Sequence, residues 1–386
     1  MYRNTYAKID TSALKRNVQK IANYYKGYDY YFGVVKANAY GHSDLICADL
    51  IKEGINYFAV SSLEEALSIR KNLKNIPILC LEPIDLKHIN IAIENNITLT
   101  IHDYDYFKKL LSLKFKDRFK VHLKIDSGMN RLGLKDKNEV TDIYNTLIIH
   151  KLIELEGIYT HLATSGISDK YWDIQIDKFK NITSEIDYKK IPIIHVGRSL
   201  TLIAHKKLDF CNGVRVGIMM YGYNNLPTLN NSIKSYIRKF LSNLKKKRLN
   251  ISQTLTESPI KLETALTLHS EIMQVKKVKK GEFVGYGASF VADEDITIGI
   301  IPIGYADGIS KKMTGMDVLI KGKRFKIIGE INMDMIAVLI DESINNNDEV
   351  ILIGGEITLK EIANYTGRTV YETLTSISSR VPRILK

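Results

Sequence analysis

The feature that most constrains the fold of this chain is an alternation that runs through roughly its first 220 residues. Short apolar runs are followed by turn residues and then by segments with the periodicity of amphipathic helices. Eight of these runs are predicted strands: residues 30–35, 57–60, 78–81, 98–101, 121–125, 155–160, 192–196 and 213–216. Strands that alternate with helices form parallel sheets. A TIM barrel has eight such strands, although an open doubly wound sheet fits the same pattern.

Helix starts follow several of the predicted strands. Ser62 and Glu65 have the spacing of a capping box, in which the two side chains satisfy unpaired backbone donors. Asp103 and Asp169 precede helical patterns at 104–111 and 171–182 in the same way.

The pattern changes after about residue 262, which indicates a second domain. Short runs rich in Ile and Val, separated by Gly, Asp and Asn, lie at residues 266–275, 283–286, 296–303, 318–320, 325–328, 336–340 and 350–353. We therefore predict an α/β fold in which an N-terminal TIM (β/α)8 barrel is followed by a C-terminal β-rich domain. The predicted boundaries are 1–222, with residues 1–10 as candidates to pair with the second domain, a basic linker at 223–262, and 263–386.

The formal net charge of +12 raises the question of a nucleic-acid or membrane surface. Residues 224–261 carry eight Lys or Arg against one Glu, so this segment alone supplies +7. A basic linker helix explains that charge, with contact between residues 234–248 and an anionic membrane as the weaker alternative. No stretch has the roughly 18 to 20 apolar residues of a membrane span, and the polar N-terminus lacks the apolar core of a signal peptide. Because the excess charge is confined to one segment, we expect no nucleic-acid partner. The three cysteines are widely separated, so we expect no metal site and a reducing, cytoplasmic location.

The string VVKANAYGH at residues 34–42 contains the first candidate for chemistry. An apolar strand ends there in Lys36, and TIM barrels place their active sites at the carboxyl ends of their strands. Partial burial at that position lowers the pKa of an amine and makes it a nucleophile toward an aldehyde. Position alone favours a lysine that reaches solvent, so the surrounding string decides the interpretation.

This string resembles that of the alanine racemases, which are fold-type III enzymes dependent on pyridoxal 5′-phosphate (PLP). The resemblance implies that Lys36 holds the cofactor covalently and that Tyr40 binds its phosphate. Four further segments follow in the family's order and extend the resemblance over nearly the whole chain outside residues 223–262.

VHLKIDSGMNRLG at 121–133 and EGIYTHLATS at 156–165 are the second and third segments. The resemblance assigns Arg131 to the cofactor's phenolic oxygen and to the substrate carboxylate, a task that suits a planar, permanently charged guanidinium. Lys124 matches a lysine that is carbamylated in some family members and that orients the arginine. His161 matches a histidine that lies against the cofactor ring.

The fourth segment joins HVGRS at 195–199 to VRVGI at 214–218. By resemblance, the side chain of Ser199 and the backbone amides of Gly217 and Ile218 hold the cofactor phosphate. Arg215 then faces the pyridine nitrogen and leaves it largely unprotonated, which disfavours transamination. Arg198 stands where the family has an asparagine, and this departure leaves the local cofactor geometry open.

The fifth segment is a set of short motifs in the C-terminal half: GYG at 285–287, GYADG at 304–308, NMDM at 332–335, VYE at 370–372 and RVPR at 380–383. Each one alone is an ordinary turn, and their order makes them specific. The resemblance implies that Tyr286 is the second acid–base group and that Tyr371 reaches the phosphate. Tyr305, Met333 and Asp334 would line the substrate entrance.

The resemblance implies a racemase that interconverts L- and D-alanine, with D-alanine supplied to cell-wall synthesis. Lys36 would serve one face of the substrate and Tyr286 of the partner subunit the other, so a head-to-tail homodimer is required. Racemases of serine, lysine or several amino acids would share this site. A PLP-dependent decarboxylase is disfavoured by the GYG and RVPR matches, and a PLP-binding homeostasis protein without catalysis would need no second base.

Overall fold

A computed structural model describes residues 2–163, 169–224 and 258–386, which form two compact units. The barrel unit comprises residues 14–39, 47–163, 169–224 and 258–263. The sheet unit comprises residues 2–13, 40–46 and 264–386, and it includes the first strand, β1 (Tyr6–Ile9). The sequence-based division assigns residues 40–46 to the barrel, whereas the structure groups them with the sheet unit. There, Arg383 Nε donates to the Gly41 carbonyl oxygen at 2.9 Å.

The barrel unit is a closed sheet of eight parallel strands, which confirms the predicted TIM barrel and excludes the open sheet. The strands are β2 (Tyr30–Val34), β3 (Tyr57–Val60), β4 (Ile78–Cys80), β5 (Ile97–Ile101), β6 (Phe119–Ile125), β7 (Ile153–Thr160), β8 (Ile193–Arg198) and β9 (Gly213–Val216). Strand β9 pairs with β2 and closes the barrel. Every residue of β3, β5 and β9 is buried, as expected for parallel strands with a packed interior and helices outside.

One helix precedes the first barrel strand, and a helix lies between each pair of consecutive barrel strands, as the alternating pattern predicts. They are α1 (Thr11–Tyr24), α2 (Cys47–Lys52), α3 (Leu63–Asn72), α4 (Ile89–Glu94), α5 (Tyr104–Leu111), α6 (Lys137–Ile148), α7 (Asp169–Ile182) and α8 (Ser199–Ala204). Short 3₁₀ helices are formed by Asp44–Ile46, Leu86–His88 and Tyr188–Lys190.

The predicted helix starts differ in how well they match the structure. Asp103 caps α5 by accepting a hydrogen bond from the backbone of Tyr106 at 2.9 Å, as predicted. Helix α7 begins at Asp169 itself, not after it. The capping box at α3 is half right: Ser62 Oγ accepts from the Glu65 backbone, but the Glu65 carboxylate accepts from the backbone of Ser61 instead of Ser62.

The sheet unit contains a nine-stranded sheet and a separate two-stranded hairpin, as expected of the β-rich domain. Its other strands are β10 (Leu266–Glu271), β11 (Gln274–Val278), β12 (Phe283–Val284), β13 (Phe290–Val291), β14 (Ile296–Ile301), β15 (Asp317–Ile320), β16 (Lys323–Ile328), β17 (Ile336–Ile340), β18 (Glu349–Ile353) and β19 (Arg383–Leu385). The large sheet has the order β11-β14-β17-β16-β15-β18-β10-β1-β19, and β12 pairs with β13. Strand β1 lies between β10 and β19.

Two predictions for this half of the chain are wrong in detail. The run at 266–275 is two strands, because the chain breaks at Ile272, whose backbone bonds to Asp348 and Asn347. Strands β10 and β11 are consequently well separated in the sheet order. The all-β prediction also missed two helices, α9 (Leu359–Thr366) and α10 (Val370–Ser376). Each is preceded by an N-cap threonine with a glutamate three residues later, which is the signature of a helix start.

The predicted basic helix and most of the 223–262 linker lie outside the described residues, since 225–257 are not among them. Within the described part of the chain, none of the helices combines the length and the apolar character needed to cross a membrane.

Arg3 and Asp307 connect the start of the sheet unit to its middle. Arg3 donates through both terminal nitrogens to the two Asp307 carboxylate oxygens, at 2.5 and 2.7 Å, and to the Pro302 carbonyl oxygen. The Asp307 side chain is fully buried and also accepts from the Gly304 backbone at 2.9 Å. Burial raises the pKa of Asp307, but the hydrogen bonds from Arg3 and Gly304 lower it below its ordinary value.

We predict that Asp307→Asn lowers the free energy of unfolding by about 2 kcal/mol at neutral pH, because Arg3 loses a buried charged partner. A carboxyl with a lowered pKa stabilises the fold above its unfolded pKa of about 3.9, and that contribution is lost as the pH falls through the folded value. The difference between the two proteins in urea unfolding should therefore shrink below about pH 4. Asp295→Asn, which removes only an exposed ion pair with Lys279, is the control. An equal effect of both substitutions would contradict the assignment.

Candidate active site at the rim of the barrel

Lys36 lies at the carboxyl end of β2, where the strand gives way to a left-handed turn. Residues 37–40 all have φ of 52–53°, a conformation that costs an L-residue roughly 1–2 kcal/mol each. The Glu65 carboxylate supports the turn by accepting hydrogen bonds from the backbone of Ala37 and of Ser61, each at 2.7 Å. The strain fixes the direction in which the chain leaves the strand directly after Lys36.

Four more cationic side chains lie toward the carboxyl ends of neighbouring strands or in the loops that follow them: Lys124, Arg131, Arg198 and Arg215. Lys124 is buried, and its amino group lies 5.5 Å from the centre of the Tyr159 ring. Burial, together with the charges of Arg131, Arg215 and Lys36, lowers the pKa of Lys124 to about 8. This rim therefore carries an excess of positive charge that suits an anionic ligand.

The loop that carries Arg131 is shaped by its own backbone. The Asp126 carboxylate accepts hydrogen bonds from the backbone of Gly128 at 3.0 Å and of Asn130 at 2.9 Å. Gly133 has a φ of 128°, and a Cβ there would lie 2.7 Å from the Asp126 nitrogen. A glycine is required at this position so that the loop can close and hold Arg131 toward solvent.

His161 follows β7 directly and is half-buried. Burial and the charges of Arg215, Arg198 and Arg131 lower its pKa to about 2. The imidazole is therefore neutral at physiological pH and can donate one hydrogen bond and accept another.

Ser199 and Gly217 meet where β8 and β9 end. The Gly217 backbone nitrogen donates to Ser199 Oγ at 3.0 Å. Ser199 is buried, and so is Ile218, which follows Gly217. The structure thus brings together three of the residues predicted to hold a phosphate.

Arg215 is buried inside the barrel with both terminal nitrogens engaged. Nη1 donates to His195 Nδ1 at 2.6 Å and to the His195 carbonyl oxygen at 2.8 Å. Nη2 donates to the carbonyl oxygens of Thr160 at 2.7 Å and of Val196 at 3.2 Å. Burial lowers the Arg215 pKa to about 10, so the guanidinium remains charged at neutral pH.

The remaining candidates belong to the sheet unit, and those predicted at the substrate entrance lie on its surface. Tyr286 is 69% exposed and stands between two glycines with positive φ. Tyr305 and Met333 are also exposed, and their loops are joined because the Tyr305 and Ala306 backbone nitrogens donate to the carbonyl oxygens of Asn332 and Met333, each at 3.0 Å. The carboxylate of Asp334 accepts from Arg380 at 2.7 Å.

Tyr40 and Tyr371 lie together in the sheet unit, with ring centroids 5.8 Å apart. Their predicted contacts with a phosphate remain a prediction.

Comparison with known proteins agrees with this arrangement. Profiles of the alanine racemase N-terminal and C-terminal domains match residues 9–225 and 265–385. Alanine racemase 1 of Bacillus subtilis (strain 168) is 36% identical over 389 residues, which cover 99% of this chain and 93% of the relative.

The chain belongs to the alanine racemase family. It is an amino-acid racemase, an isomerase. The crystal structure of alanine racemase from Bacillus anthracis with bound L-Ala-P superposes with a TM-score of 0.86 at 32% identity and covers 100% of this chain and 96% of that one. A histidine racemase from Leuconostoc mesenteroides subsp. sake superposes at 0.83 with 25% identity, covering 100% and 98% of the two chains.

The sequence-based interpretation of this racemase missed two residues that shape the rim. Tyr159 places its ring beside both the Lys124 amino group and the Arg215 guanidinium, whose central carbon is 5.3 Å from the ring centre. Its position near the end of β7, two residues before His161, was the available signal. Glu65 was assigned only to a helix start, because nothing in its spacing indicates that it supports the turn after Lys36.

We predict that Gly133→Ala reduces alanine racemisation by about tenfold or more, because a displaced loop moves Arg131 away from its position. Gly281→Ala is a matched control: Gly281 also has positive φ, but a Cβ there meets nothing within 4 Å. Racemisation is followed by chiral chromatography in the presence of PLP, the cofactor that the sequence resemblance implies. Equal activities of the two variants would show that the Asp126–Gly133 contact does not position Arg131.

Proposed function

We propose that this racemase interconverts L- and D-alanine with PLP bound at the carboxyl end of the barrel and held covalently by Lys36. The observation that carries the proposal is the meeting of a strand-end lysine, several further cations and the Ser199–Gly217 contact at one rim. An aldehyde that bears a phosphate and a phenolic oxygen is the chemistry such a set would bind.

The residues present fit PLP on two grounds. The lowered pKa of Lys124, caused by burial and neighbouring cations, supports an anionic ligand that would relieve the repulsion. The Ser199 hydroxyl and the amides of Gly217 and Ile218 would hold the phosphate. Arg131 would bind the phenolic oxygen and the substrate carboxylate, and Arg215 would face the pyridine nitrogen.

When bound, PLP stabilises the negative charge that develops at the substrate α-carbon. Lys36 Nζ, freed when the substrate amine takes its place, would move the α-proton on one face, by analogy with the family the D side. The Tyr286 hydroxyl of the partner subunit would hold the proton on the other face. His161 and Arg215 would favour loss of the tyrosine proton, since a tyrosine near its ordinary pKa of about 10 is a poor base at neutral pH.

We also propose that Lys124 is a site of carbamylation. A lysine with a pKa of about 8 has a substantial neutral fraction near neutral pH, and the neutral amine is the form that reacts with carbon dioxide. The carbamate would supply a negative charge between the cations and would orient Arg131.

A head-to-tail homodimer is part of the proposal, because Tyr286 has to come from the partner subunit. The surface around Tyr286 supports it: Phe283, Val291 and Met333 are large apolar side chains in the same unit that are more than half exposed. Exposed apolar side chains in such number mark protein interfaces.

The substrate and the biological role are inferred from the family. Cytoplasmic supply of D-alanine for cell-wall synthesis is the role we propose. The histidine racemase among the structural relatives keeps other amino acids open as substrates. A homeostasis protein that binds PLP without catalysis is disfavoured because it has no use for Tyr286.

We predict α-proton exchange in D₂O when the protein is given PLP and L-alanine, with both enantiomers of alanine formed. Lys36→Ala should reduce the exchange rate about a thousandfold, because the cofactor attachment and one proton-transfer group are lost together. Lys74→Ala, an exposed lysine of the same unit, is the control. L-Serine, L-lysine and L-histidine are assayed in parallel, and a preference for one of them would change the substrate but not the mechanism. A protein that binds PLP and exchanges no α-proton would contradict the proposal.

We predict that a heterodimer of a Lys36→Ala subunit and a Tyr286→Phe subunit recovers about half of the wild-type activity, because one of its two shared sites regains both residues. Differently tagged subunits allow the heterodimer to be purified. A heterodimer of Lys36→Ala with the Lys36→Ala, Tyr286→Phe double variant cannot rebuild a site and is the control. If the first heterodimer is as inactive as the control, each site uses residues of a single subunit.

A further inference from the structure

A continuous row of buried polar side chains runs from Arg215 into the interior of the barrel. Arg215 Nη1 lies 2.6 Å from His195 Nδ1, and His195 Nε2 lies 2.9 Å from His122 Nδ1. His122 Nε2 in turn lies 3.1 Å from Glu156 Oε2. Both imidazoles are completely buried, and the Glu156 carboxylate is nearly so.

We propose that Glu156 is a positioning residue for Arg215, acting through His122 and His195 by fixing which nitrogen of each imidazole carries the proton. The inference rests on the proposed function insofar as Arg215 faces the cofactor. It concerns groups that the proposed reaction does not otherwise use.

Arg215 and Glu156, at the two ends of the row, determine which nitrogen of His195 and of His122 carries the proton. A guanidinium can only donate, so His195 Nδ1 has to accept and His195 carries its proton on Nε2. That proton is donated to His122 Nδ1, which leaves His122 protonated on Nε2. The Glu156 carboxylate can only accept, so it completes the row without a conflict.

A doubly protonated His122 would break this arrangement. Its Nδ1 proton would force His195 Nε2 to accept and would turn the His195 Nδ1 proton toward Arg215, donor against donor. Burial lowers the pKa of both imidazoles, which agrees with two neutral rings. Within the described residues, the hydrogen-bond acceptors of Arg215 are carbonyl oxygens and His195, without a carboxylate.

The backbone is built around this row. The register of β6 and β7 passes from Val121–Leu155 to His122–Gly157, so Glu156 is the extra residue of a bulge. A Cβ on Gly157 would lie 2.5 Å from the His122 ring, so the glycine makes room for the imidazole. The rings of Phe32 and Tyr159 stack on His195 at 4.5 and 4.7 Å and hold its plane.

The far end of the row keeps Glu156 ionised. Burial alone would raise the Glu156 pKa, but hydrogen bonds with His122, Lys120 and Tyr57 lower it to about 2. Lys120 Nζ lies 2.6 Å from Oε1 and the Tyr57 hydroxyl 2.7 Å from Oε2. Burial lowers the pKa of Lys120, but its hydrogen bond with Glu156 and the charges of Glu156 and Glu154 raise it above its ordinary value. The lysine side chain is 40% exposed, so the row runs from the site to solvent-accessible charge.

The test compares Glu156→Gln with Glu154→Gln, which makes the same charge change two residues away on β7. Glu154→Gln removes the Arg118 ion pair and leaves the hydrogen bonds of Glu156 in place. The ring protons of His122 and His195 are measured by ¹⁵N NMR of histidine-labelled full-length protein before PLP is added. PLP dissociation constants are then measured by titration. In the wild type and in Glu154→Gln, we expect both imidazoles protonated on Nε2 alone.

In Glu156→Gln, the amide can donate as well as accept, so we expect the single protonation pattern to be lost and the PLP dissociation constant to rise about tenfold. An unchanged pattern with unchanged PLP affinity would overturn the inference, as would a different pattern in the wild type. If Glu156→Gln does not fold, Lys120→Met is tested instead. Loss of the Lys120 charge should raise the pKa of Glu156, so the loss of PLP binding on acidification should begin at a higher pH than in the wild type. An unchanged pH dependence of PLP binding would overturn the inference. Failure of the wild type to bind PLP would reject the proposed function but leave the NMR result valid.

Discussion

The closed barrel forces the carboxyl ends of eight parallel strands to meet at one rim, and the site depends on this constraint. Residues far apart in the chain, Lys36 and Arg215 among them, come to neighbouring strand ends because β9 closes on β2. Most of the charged groups that meet there are cations, which repel one another. A rim that gathers cations in this way suits an anionic ligand.

The interior of the barrel combines apolar packing with a polar row, and the two depend on each other. Buried polar groups destabilise a fold unless each has a partner, and here the rings of Phe32 and Tyr159 hold His195 where its partners can reach it. The residues of the barrel interior therefore hold the Arg215 guanidinium in position.

Much of the fold could be predicted from the sequence where the signal is local. Strands β3 and β9 begin and end at the predicted residues. β3 is a continuous apolar run, as expected of a buried parallel strand, whereas β9 includes Arg215. The run at 266–275 gave no sign of its break, since the bonds of Ile272 to Asp348 and Asn347 are made by residues more than seventy positions away. The row of polar side chains from Arg215 to Glu156 could not be predicted either, because its members lie on four different strands and follow no spacing rule.

The central claim is that Lys36 holds PLP covalently, and chemical trapping tests it most directly. The PLP-loaded protein is reduced with borohydride, digested and analysed by mass spectrometry to locate the pyridoxyl group. A single adduct on Lys36, absent without reduction, is the result that the account predicts. An adduct on Lys124 or on another lysine, with Lys36 unmodified, would contradict it.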